Sequence, residues 1–392
     1  MLRKYSIIIY DSRGWVVMRN RNSSFELMRI VSMIFIVIGH TLSWGGVTDS
    51  ANDFLKLIIY IIYALIVVHV NSFVLLTGYY QVQSKFKIKK VINILILMLF
   101  YRIFCLIIAI NLDWIQYVGI KDLILKILPL SNFSYWYLNV YIVLYLISPY
   151  LNVFVNNTSK KKYGILLIIL FIFCSIITRT TMQEFIANED GYSLIHFIFM
   201  YLVGGYLRKY DGTINFKVLN KKITTMDKSS IFLIIYFIIG IIKFLFNYLG
   251  INNNILPEFV NIRLNYSFDR LIYDDLLVIL QSISYFLFFK NLKIKSSAIN
   301  TLSLATNEVY LFHMNQSFRK NLYLMLGLNL SNYTIKNVPK IIWVVMQIYF
   351  IGIIIFFVRT FIIKTISDNK YIMKVKEKVE KKCNIFDEMM NT

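Results

Sequence analysis

The chain is poor in residues that interrupt helices and in residues that cross-link small domains. Its 392 residues include only 4 prolines and 15 glycines, which is typical of long, mostly unbroken helices. The three cysteines, Cys105, Cys174 and Cys383, have no C-x-x-C or zinc-like spacing, so we expect no disulfide and no metal site. A Walker-type glycine loop and a G-x-S-x-G motif are also missing, which argues against a pump with its own ATPase and against a hydrolase domain.

Acidic residues are few as well: 21 Asp and Glu stand against 42 Lys and Arg, for a formal net charge of +21. In a soluble protein this balance would suggest nucleic acid as a partner. Here, however, 58% of the residues are hydrophobic and the mean hydropathy is +0.61, more apolar surface than a soluble domain needs. We therefore expect a protein whose partner is the lipid bilayer, with no nucleic-acid partner.

Ten apolar segments predict an all-α integral membrane protein with about ten transmembrane helices. Most of them reach the roughly 20 residues that a bilayer core requires. The ninth is the weakest, because polar residues between 306 and 319 interrupt it, and such a helix must face protein or water. The predicted spans are 25–46, 55–80, 88–110, 135–155, 163–181, 192–208, 229–249, 271–290, 299–325 and 340–363.

Basic residues are unevenly divided between the loops of this topology. With the N-terminus inside, the inner segments hold 29 of the 42 Lys and Arg and the outer loops hold 9. Because cytoplasmic loops carry the excess of Lys and Arg in membrane proteins, both termini are predicted to be cytoplasmic.

We divide the chain into a cytoplasmic N-terminal segment at 1–24, a membrane domain at 25–363 and a basic cytoplasmic tail at 364–392. The apolar run near residue 8 is too short for a signal peptide. Met18 is a possible natural start, because the positive flank and the first span follow it directly. The tail is interpreted as an orientation anchor near anionic lipid rather than as a nucleic-acid arm.

The first span carries two ionisable side chains on one face. His40 follows Arg29 by eleven residues, which places both on one stripe about 16 Å apart along the axis; Glu26 lies near the same stripe. Ionisable groups inside a bilayer are costly and usually functional. His40 alone would be interpreted as a structural hydrogen-bonding residue, but Arg29 at the cytoplasmic mouth suits a phosphate. Together they indicate a path from a phosphate-rich donor to a general base.

The turn after the second span is rich in lysine. Four lysines lie here: Lys85, Lys87, Lys89 and Lys90. They either orient the protein by the positive-inside rule or form a positively charged entrance that binds a nucleotide diphosphate, and both interpretations can hold. Arg102 lies deeper, in the third span, where an arginine is harder to explain as an anchor.

Polar residues in the second, fourth and ninth spans are further candidates for a polar path. Thr77 and Gly78 could admit a ligand or a neighbouring helix; Trp136 suits an interfacial belt more than sugar stacking. The other candidates are Asn71 in span two, Tyr137, Tyr141 and Tyr145 along one face of span four, and Thr306, Tyr310 and His313 along one face of span nine. In contrast, Glu308 lies off that last face, and His196 is interpreted as structural.

These motifs together resemble the membrane acyltransferase family 3, the polysaccharide O-acetyltransferase type. The resemblance rests on the E-L-x-R opening followed by histidine, F-x-x-x-[ST]-G-[YF] ending the second span, W-Y-L-x-x-Y-x-x-L-Y-x-x-x-P in the fourth, and Y-L-x-H in the ninth. The matching residues are Glu26, Leu27, Arg29 and His40, then Phe73, Thr77, Gly78 and Tyr79, then Trp136 to Pro149, then Tyr310, Leu311 and His313.

The resemblance implies about ten helices and an acetyl group that passes from cytoplasmic acetyl-CoA to a hydroxyl of a cell-surface polysaccharide or lipid-linked sugar. It implies essential roles for Arg29 and His40, and no bound cofactor. On this basis Arg29, His40, Tyr310 and His313 are the predicted catalytic residues. The predicted substrate-binding residues are Glu26, Asn71, Thr77, Lys85, Lys87, Lys89, Lys90, Arg102, Trp136 and Tyr137. Where the family often has arginines after the second span, this chain has lysines, which bind phosphate without a bidentate fork.

Two alternatives stay open at the level of sequence. A polysaccharide flippase, a polymerase-like membrane protein or a transporter would show charges spread over many spans and inverted repeats, and we find no clear repeat. An enzyme that uses long-chain acyl-CoA differs only in acyl length, which no residue fixes. The abundance of Ile, Lys, Asn and Tyr suggests an AT-rich bacterial genome, and hence a bacterial cell membrane.

Overall fold

The computed structural model describes residues 21–115, 119–131, 133–178, 188–210, 217–218, 221–222, 225–252, 271–367 and 370–391. The proposed start at Met18 and most of the N-terminal segment lie outside these residues. The described chain is helical, apart from one antiparallel pair of two-residue strands, β1 (Lys217–Val218) and β2 (Lys221–Lys222). The predicted all-helical class is therefore confirmed.

The helices follow the chain in the order of the predicted spans, with short additions in the loops. They are α1 Ser23–Trp44, α2 Asp53–Ile66, α3 His69–Gln81, α4 Ile88–Asn111, α5 Ile120–Ile127, α6 Trp136–Asn157, α7 Lys160–Phe171, α8 Leu194–Lys209, α9 Thr225–Asn252, α10 Leu276–Asn291, α11 Ser297–Leu302, α12 Thr306–His313, α13 Arg319–Met325, α14 Val338–Ser367 and α15 Lys370–Asn391.

Six helical segments of the described chain are long and apolar enough to cross a membrane. They are Ser23–Trp44, Asp53–Gln81, Ile88–Asn111, Trp136–Asn157, Lys228–Phe246 and Ile335–Thr365. The apolar helix α10 is shorter, at 16 residues. A multi-pass membrane protein is thus supported, whereas the count of about ten spans and the cytoplasmic location of both termini stay predictions.

Two of the predicted spans are broken rather than continuous. The second divides between α2 and α3 at a two-residue turn, Val67 and Val68, which ends one helix and begins the next. The ninth divides into α11, a short 3₁₀ turn at Ser303–Ala305, α12 and α13. Both breaks bring backbone ends and polar side chains into the interior, where a membrane protein tolerates them only against protein or a polar cavity.

Helices α3 and α8 approach each other more closely than large side chains would allow. A Cβ added at Gly78 would overlap the carbonyl oxygen of Tyr201, and one added at Gly204 would overlap that of Leu75. Small residues at such crossings are typical of helix packing in membranes. Gly78 therefore allows α3 and α8 to pack closely, which is one of the two functions, helix approach or ligand approach, that the sequence suggested for it.

The basic tail forms helix α15 and packs against the loop that precedes α4. Asn391 donates to the carbonyl of Phe86 at 3.1 Å and accepts from its amide at 2.8 Å, while Asp387 accepts from the amide of Ile88 at 2.7 Å. These bonds satisfy free backbone groups at the start of α4.

Candidate active site

A cavity of about 240 Å³ is lined by residues of α1, α3, α6 and the α11–α12 region. On α1 its wall is formed by Arg29, Met33, Ile36 and His40, whose spacing follows one helical face. The cavity thus connects Arg29 with His40, about 16 Å further along the axis. Its other lining residues are Arg21, His69, Val70, Phe73, Leu76, Thr77, Ile94, Trp136, Tyr137, Leu138, Tyr141, Tyr273, Ser303, Leu304, Thr306, Asn307 and Tyr310.

His40 forms a hydrogen-bonded pair with His313. Nδ1 of His40 lies 2.9 Å from Nε2 of His313, and Nδ1 of His313 lies 2.5 Å from the carbonyl oxygen of Val309. A carbonyl can only accept, so neutral His313 donates from Nδ1 and must accept at Nε2. His40 then donates from Nδ1, and its Nε2 keeps a lone pair. The pair therefore assigns to His40 the tautomer that a general base or a nucleophile needs.

Helix α12 ends at His313, where Tyr135 binds a carbonyl of its last turn and Asn315 begins a polar turn. The hydroxyl of Tyr135 donates to the carbonyl of Leu311 at 2.7 Å, and the side-chain amide of Asn315 donates to that hydroxyl at 2.8 Å. The carbonyl of Asn315 accepts from the backbone amides of Phe318 and Arg319 at 3.0 and 2.8 Å. The polar residues that weakened the ninth span in sequence are therefore the ones that fix the position of His313.

Glu308 stabilises α12 from another side. Its carboxylate lies 2.5 Å from Nη2 of Arg359 on α14, and its side chain is only 3% exposed. Glu308 does not line the cavity. This agrees with its placement, in sequence, off the face that carries Thr306 and Tyr310.

Two arginines lie at the end of the cavity opposite His40. Glu26 is 3.7 Å from Arg29 and 3.5 Å from Arg21, and Arg21 also donates to the carbonyl of Asn300 at 3.3 Å and to the hydroxyl of Ser303 at 3.2 Å. One carboxylate faces two guanidinium groups, so this end keeps an excess positive charge that suits an anionic ligand. Glu26 positions the arginines and does not itself line the cavity.

The four candidate lysines surround the loop before α4 and do not line the cavity. Lys85 and Lys87 are exposed. Lys89 forms an ion pair with Glu380 of α15, and this hydrogen bond lowers the pKa of the Glu380 carboxyl. Lys90 donates to the side-chain carbonyl of Gln81 at 3.2 Å. Of the lysines predicted to bind a phosphate, Lys89 is therefore paired with the tail helix.

An aromatic wall faces α1 across the cavity. Trp136, Tyr137 and Tyr141 line it, and the rings of Tyr137 and Tyr141 stack at 6.2 Å with an angle of 22°. Trp136 therefore faces the interior here instead of the lipid belt favoured by its sequence position. Tyr145, predicted on the same face, instead bonds the backbone of Lys87, accepting from its amide at 2.9 Å.

Two of the candidate residues lie elsewhere. The Asn71 amide donates to the carbonyl of Tyr273 at 2.9 Å and accepts from Nε2 of His196 at 2.8 Å; it is fully buried and ties α3 to α8. Arg102 donates to the carbonyl of Lys126 at 3.2 Å and to the hydroxyl of Ser131 at 3.3 Å. The structure therefore brings neither residue to the cavity.

Four further candidates from the sequence, by contrast, do reach the cavity or its His40 end. Thr77, Thr306 and Tyr310 line the wall, and His313 lies behind His40 instead of in the wall. His69, at the α2–α3 break, and Arg21 also line the cavity although the sequence did not single them out. The signal for His69 was its place beside Asn71 and Ser72 in an apolar span.

The chain belongs to acyltransferase family 3: a family model described as an acyltransferase domain matches residues 22–366. The protein is accordingly a membrane acyltransferase, which confirms the resemblance found in the motifs. No curated protein and no solved structure matches the chain.

Proposed function

We propose that the protein is an O-acetyltransferase that moves an acetyl group from cytoplasmic acetyl-CoA to a hydroxyl of a cell-surface polysaccharide or lipid-linked sugar. The observation that supports this most is one cavity with a cationic end at Arg21 and Arg29 and an oriented histidine at the other end. The CoA phosphates bind at the cationic end, with the exposed lysines Lys85 and Lys87 outside it, and the acetyl thioester reaches toward His40.

In direct transfer, Nε2 of His40 takes the proton of the sugar hydroxyl as its oxygen attacks the thioester carbonyl. The new C–O bond forms, the C–S bond breaks, and the proton passes from His40 to the CoA sulfur. In the covalent route, Nε2 first attacks the thioester, so a C–N bond forms as the C–S bond breaks and CoA leaves as the thiolate. The sugar oxygen then attacks the acetyl group, the C–N bond breaks, and the hydroxyl proton passes to the CoA thiolate. In both routes His313 accepts the hydrogen bond from Nδ1 and stabilises positive charge on the His40 ring, while Tyr310 lies beside the reacting carbonyl.

Family membership makes acyl transfer the chemistry, so the flippase, polymerase-like and transporter alternatives have no observation in their favour. The acyl length is tested by offering the purified protein, in lipid nanodiscs, acetyl-CoA and palmitoyl-CoA. We expect binding and turnover with the acetyl donor, and a clear preference for palmitoyl-CoA would contradict the proposal.

The principal experiment compares a deletion strain with strains that carry wild type, His40→Ala or Ser43→Ala. Ser43 is exposed, one turn from His40, and bonds only within α1 at the carbonyl of Gly39, so it is the matched control. Base-labile acetate and proton NMR of the cell-surface glycans are measured. We expect O-acetyl groups with wild type and Ser43→Ala and none with His40→Ala; normal acetylation by a folded His40→Ala protein would refute the mechanism.

A further inference from the structure

A second cationic position lies beyond His40 along α1, on the side away from Arg29. It is formed by Arg319 and Trp44, which do not line the cavity themselves. Trp44 follows His40 by four residues on α1, which places it one turn, about 6 Å, further along nearly the same face. Arg319 begins α13, just after the turn that follows His313. The Arg319 guanidinium carbon is 3.6 Å from the centre of the Trp44 ring.

This arginine has the features of a binding residue more than those of a structural one. Within the described residues it has no carboxylate partner, whereas the interior Arg359 has Glu308 and the arginines at the other end have Glu26. Its side chain is half-buried, and it is six residues beyond His313 in the chain. The guanidinium carbon lies over the Trp44 ring, and such a cation–π contact restricts the movement of the Arg319 side chain.

We propose that Arg319 binds an anionic group, a carboxylate or a phosphate, of the sugar that receives the acetyl group, and that this acceptor is therefore an acidic saccharide. The inference rests on the proposed function, because it places the reacting hydroxyl at His40. An acidic group on a ring carbon next to the one that carries this hydroxyl would then lie near the Arg319 guanidinium, which is about one helical turn beyond His40 along α1. Trp44, which is 44% exposed, positions Arg319 and offers an apolar ring beside the sugar.

A planar, fixed guanidinium is suited to bidentate recognition of a carboxylate or phosphate, and a lysine at the same place is a point charge without that geometry. Arg319→Lys should therefore retain part of the activity and Arg319→Gln very little. Charge-assisted hydrogen bonds of this kind correspond to about a ten- to hundredfold loss when the cation is removed. Lys320, the exposed neighbour, provides a control of equal charge.

The test uses the deletion strain complemented with wild type, Arg319→Lys, Arg319→Gln or Lys320→Gln. Surface glycans are separated by anion exchange into neutral and acidic fractions, and base-labile acetate is measured in each. We expect the acetate restored by wild type and by Lys320→Gln to lie in the acidic fraction. With Arg319→Gln it should fall about tenfold or more, and Arg319→Lys should be intermediate. Radiolabelled acetyl-CoA binding to the purified variants should equal wild type, which reports on folding and on the donor end.

The outcomes separate the two proposals. If wild type restores acetate to the neutral fraction, or if Arg319→Gln acetylates as well as wild type, the acidic-acceptor proposal is wrong while the O-acetyltransferase proposal stands. The second of these results would also be the one expected if Arg319 served only to bind a lipid phosphate at the membrane surface. If wild type restores no acetate in either fraction, the proposed function itself fails.

Discussion

At the scale of single residues, the proposed mechanism depends on the hydrogen bond between His40 and His313. His313 is committed at Nδ1 to the Val309 carbonyl and can only accept at Nε2. Removing it leaves His40 free to adopt either tautomer and to rotate within the cavity. In the proposed mechanism His313 is therefore a positioning residue that acts through His40, in the way a carboxylate orients the base in other acyl-transfer enzymes.

We expect His313→Ala to lower kcat about 100-fold, within the range that general-base catalysis contributes, and to leave the KM for acetyl-CoA unchanged. The reason is that the proposed donor site lies at the far, cationic end of the cavity. Initial rates measured against acetyl-CoA concentration would show the split. An equal fall in affinity for acetyl-CoA, or a protein with unchanged kcat, would show that His313 is not needed to orient His40.

The Glu308–Arg359 ion pair makes a different kind of contribution, to stability. Truncating one partner of a buried ion pair typically costs about 3–5 kcal/mol, whereas replacing both by apolar residues is often neutral. We expect Glu308→Leu to lower the thermal stability of the purified protein markedly, and Glu308→Leu combined with Arg359→Leu to recover most of it. A double variant as unstable as the single one would contradict this account.

Sequence reasoning reached part of this site and missed the rest for a physical reason. Arg29 and His40 stand on one helix, where a fixed periodicity determines which residues share a face. The His40–His313 contact joins residues 273 positions apart, and no local pattern sets that distance. Arg102 and Asn71 are candidates in the sequence because polar side chains inside an apolar span are unfavourable without a partner. In the structure both have partners: Arg102 bonds Lys126 and Ser131, and Asn71 bonds Tyr273 and His196.

At the scale of helices, the ends of most spans were predictable from their apolar runs, but the breaks were not. The break in the second span falls at Val67 and Val68, without the proline or glycine that usually signals one. The break after His313, by contrast, coincides with the polar residues that interrupt the ninth span in the sequence. They were predicted to face protein or water, and the structure shows Asn315 forming the turn itself.

The crossing of α3 and α8 gives a prediction at this scale. Because the backbones are in contact at Gly78 and Gly204, an added methyl group must separate the helices and displace the adjacent cavity residue Thr77. We expect Gly78→Ala and Gly204→Ala to lower the unfolding temperature and the acetylation rate together. Gly119→Ala is the control, because its Cβ would meet nothing within 4 Å. If Gly119→Ala also lowers the unfolding temperature and the acetylation rate, the losses do not come from the contact between α3 and α8.

At the scale of the whole molecule, the site has a direction. Its cationic end, the proposed donor site, lies at the start of α1, and the histidine pair followed by Trp44 and Arg319 lies toward the other end of the same helix. An acetyl group that moves along this axis travels from one membrane face toward the other. The proposed function requires the Arg29 end to face the cytoplasm, where acetyl-CoA is made, as the distribution of Lys and Arg predicts.

Single cysteines at exposed lysines near the two ends test this direction. In a variant without the three native cysteines, we expect Lys320→Cys to react with a membrane-impermeant maleimide in intact spheroplasts, and Lys87→Cys to react only after permeabilisation. Lys87 precedes α4 beside the docked tail and Lys320 lies in α13 beside Arg319, and the topology predicted from the sequence places them on opposite faces of the membrane. Labelling of both from the same side would contradict transfer across the membrane, because the donor and acceptor ends would then open to one compartment.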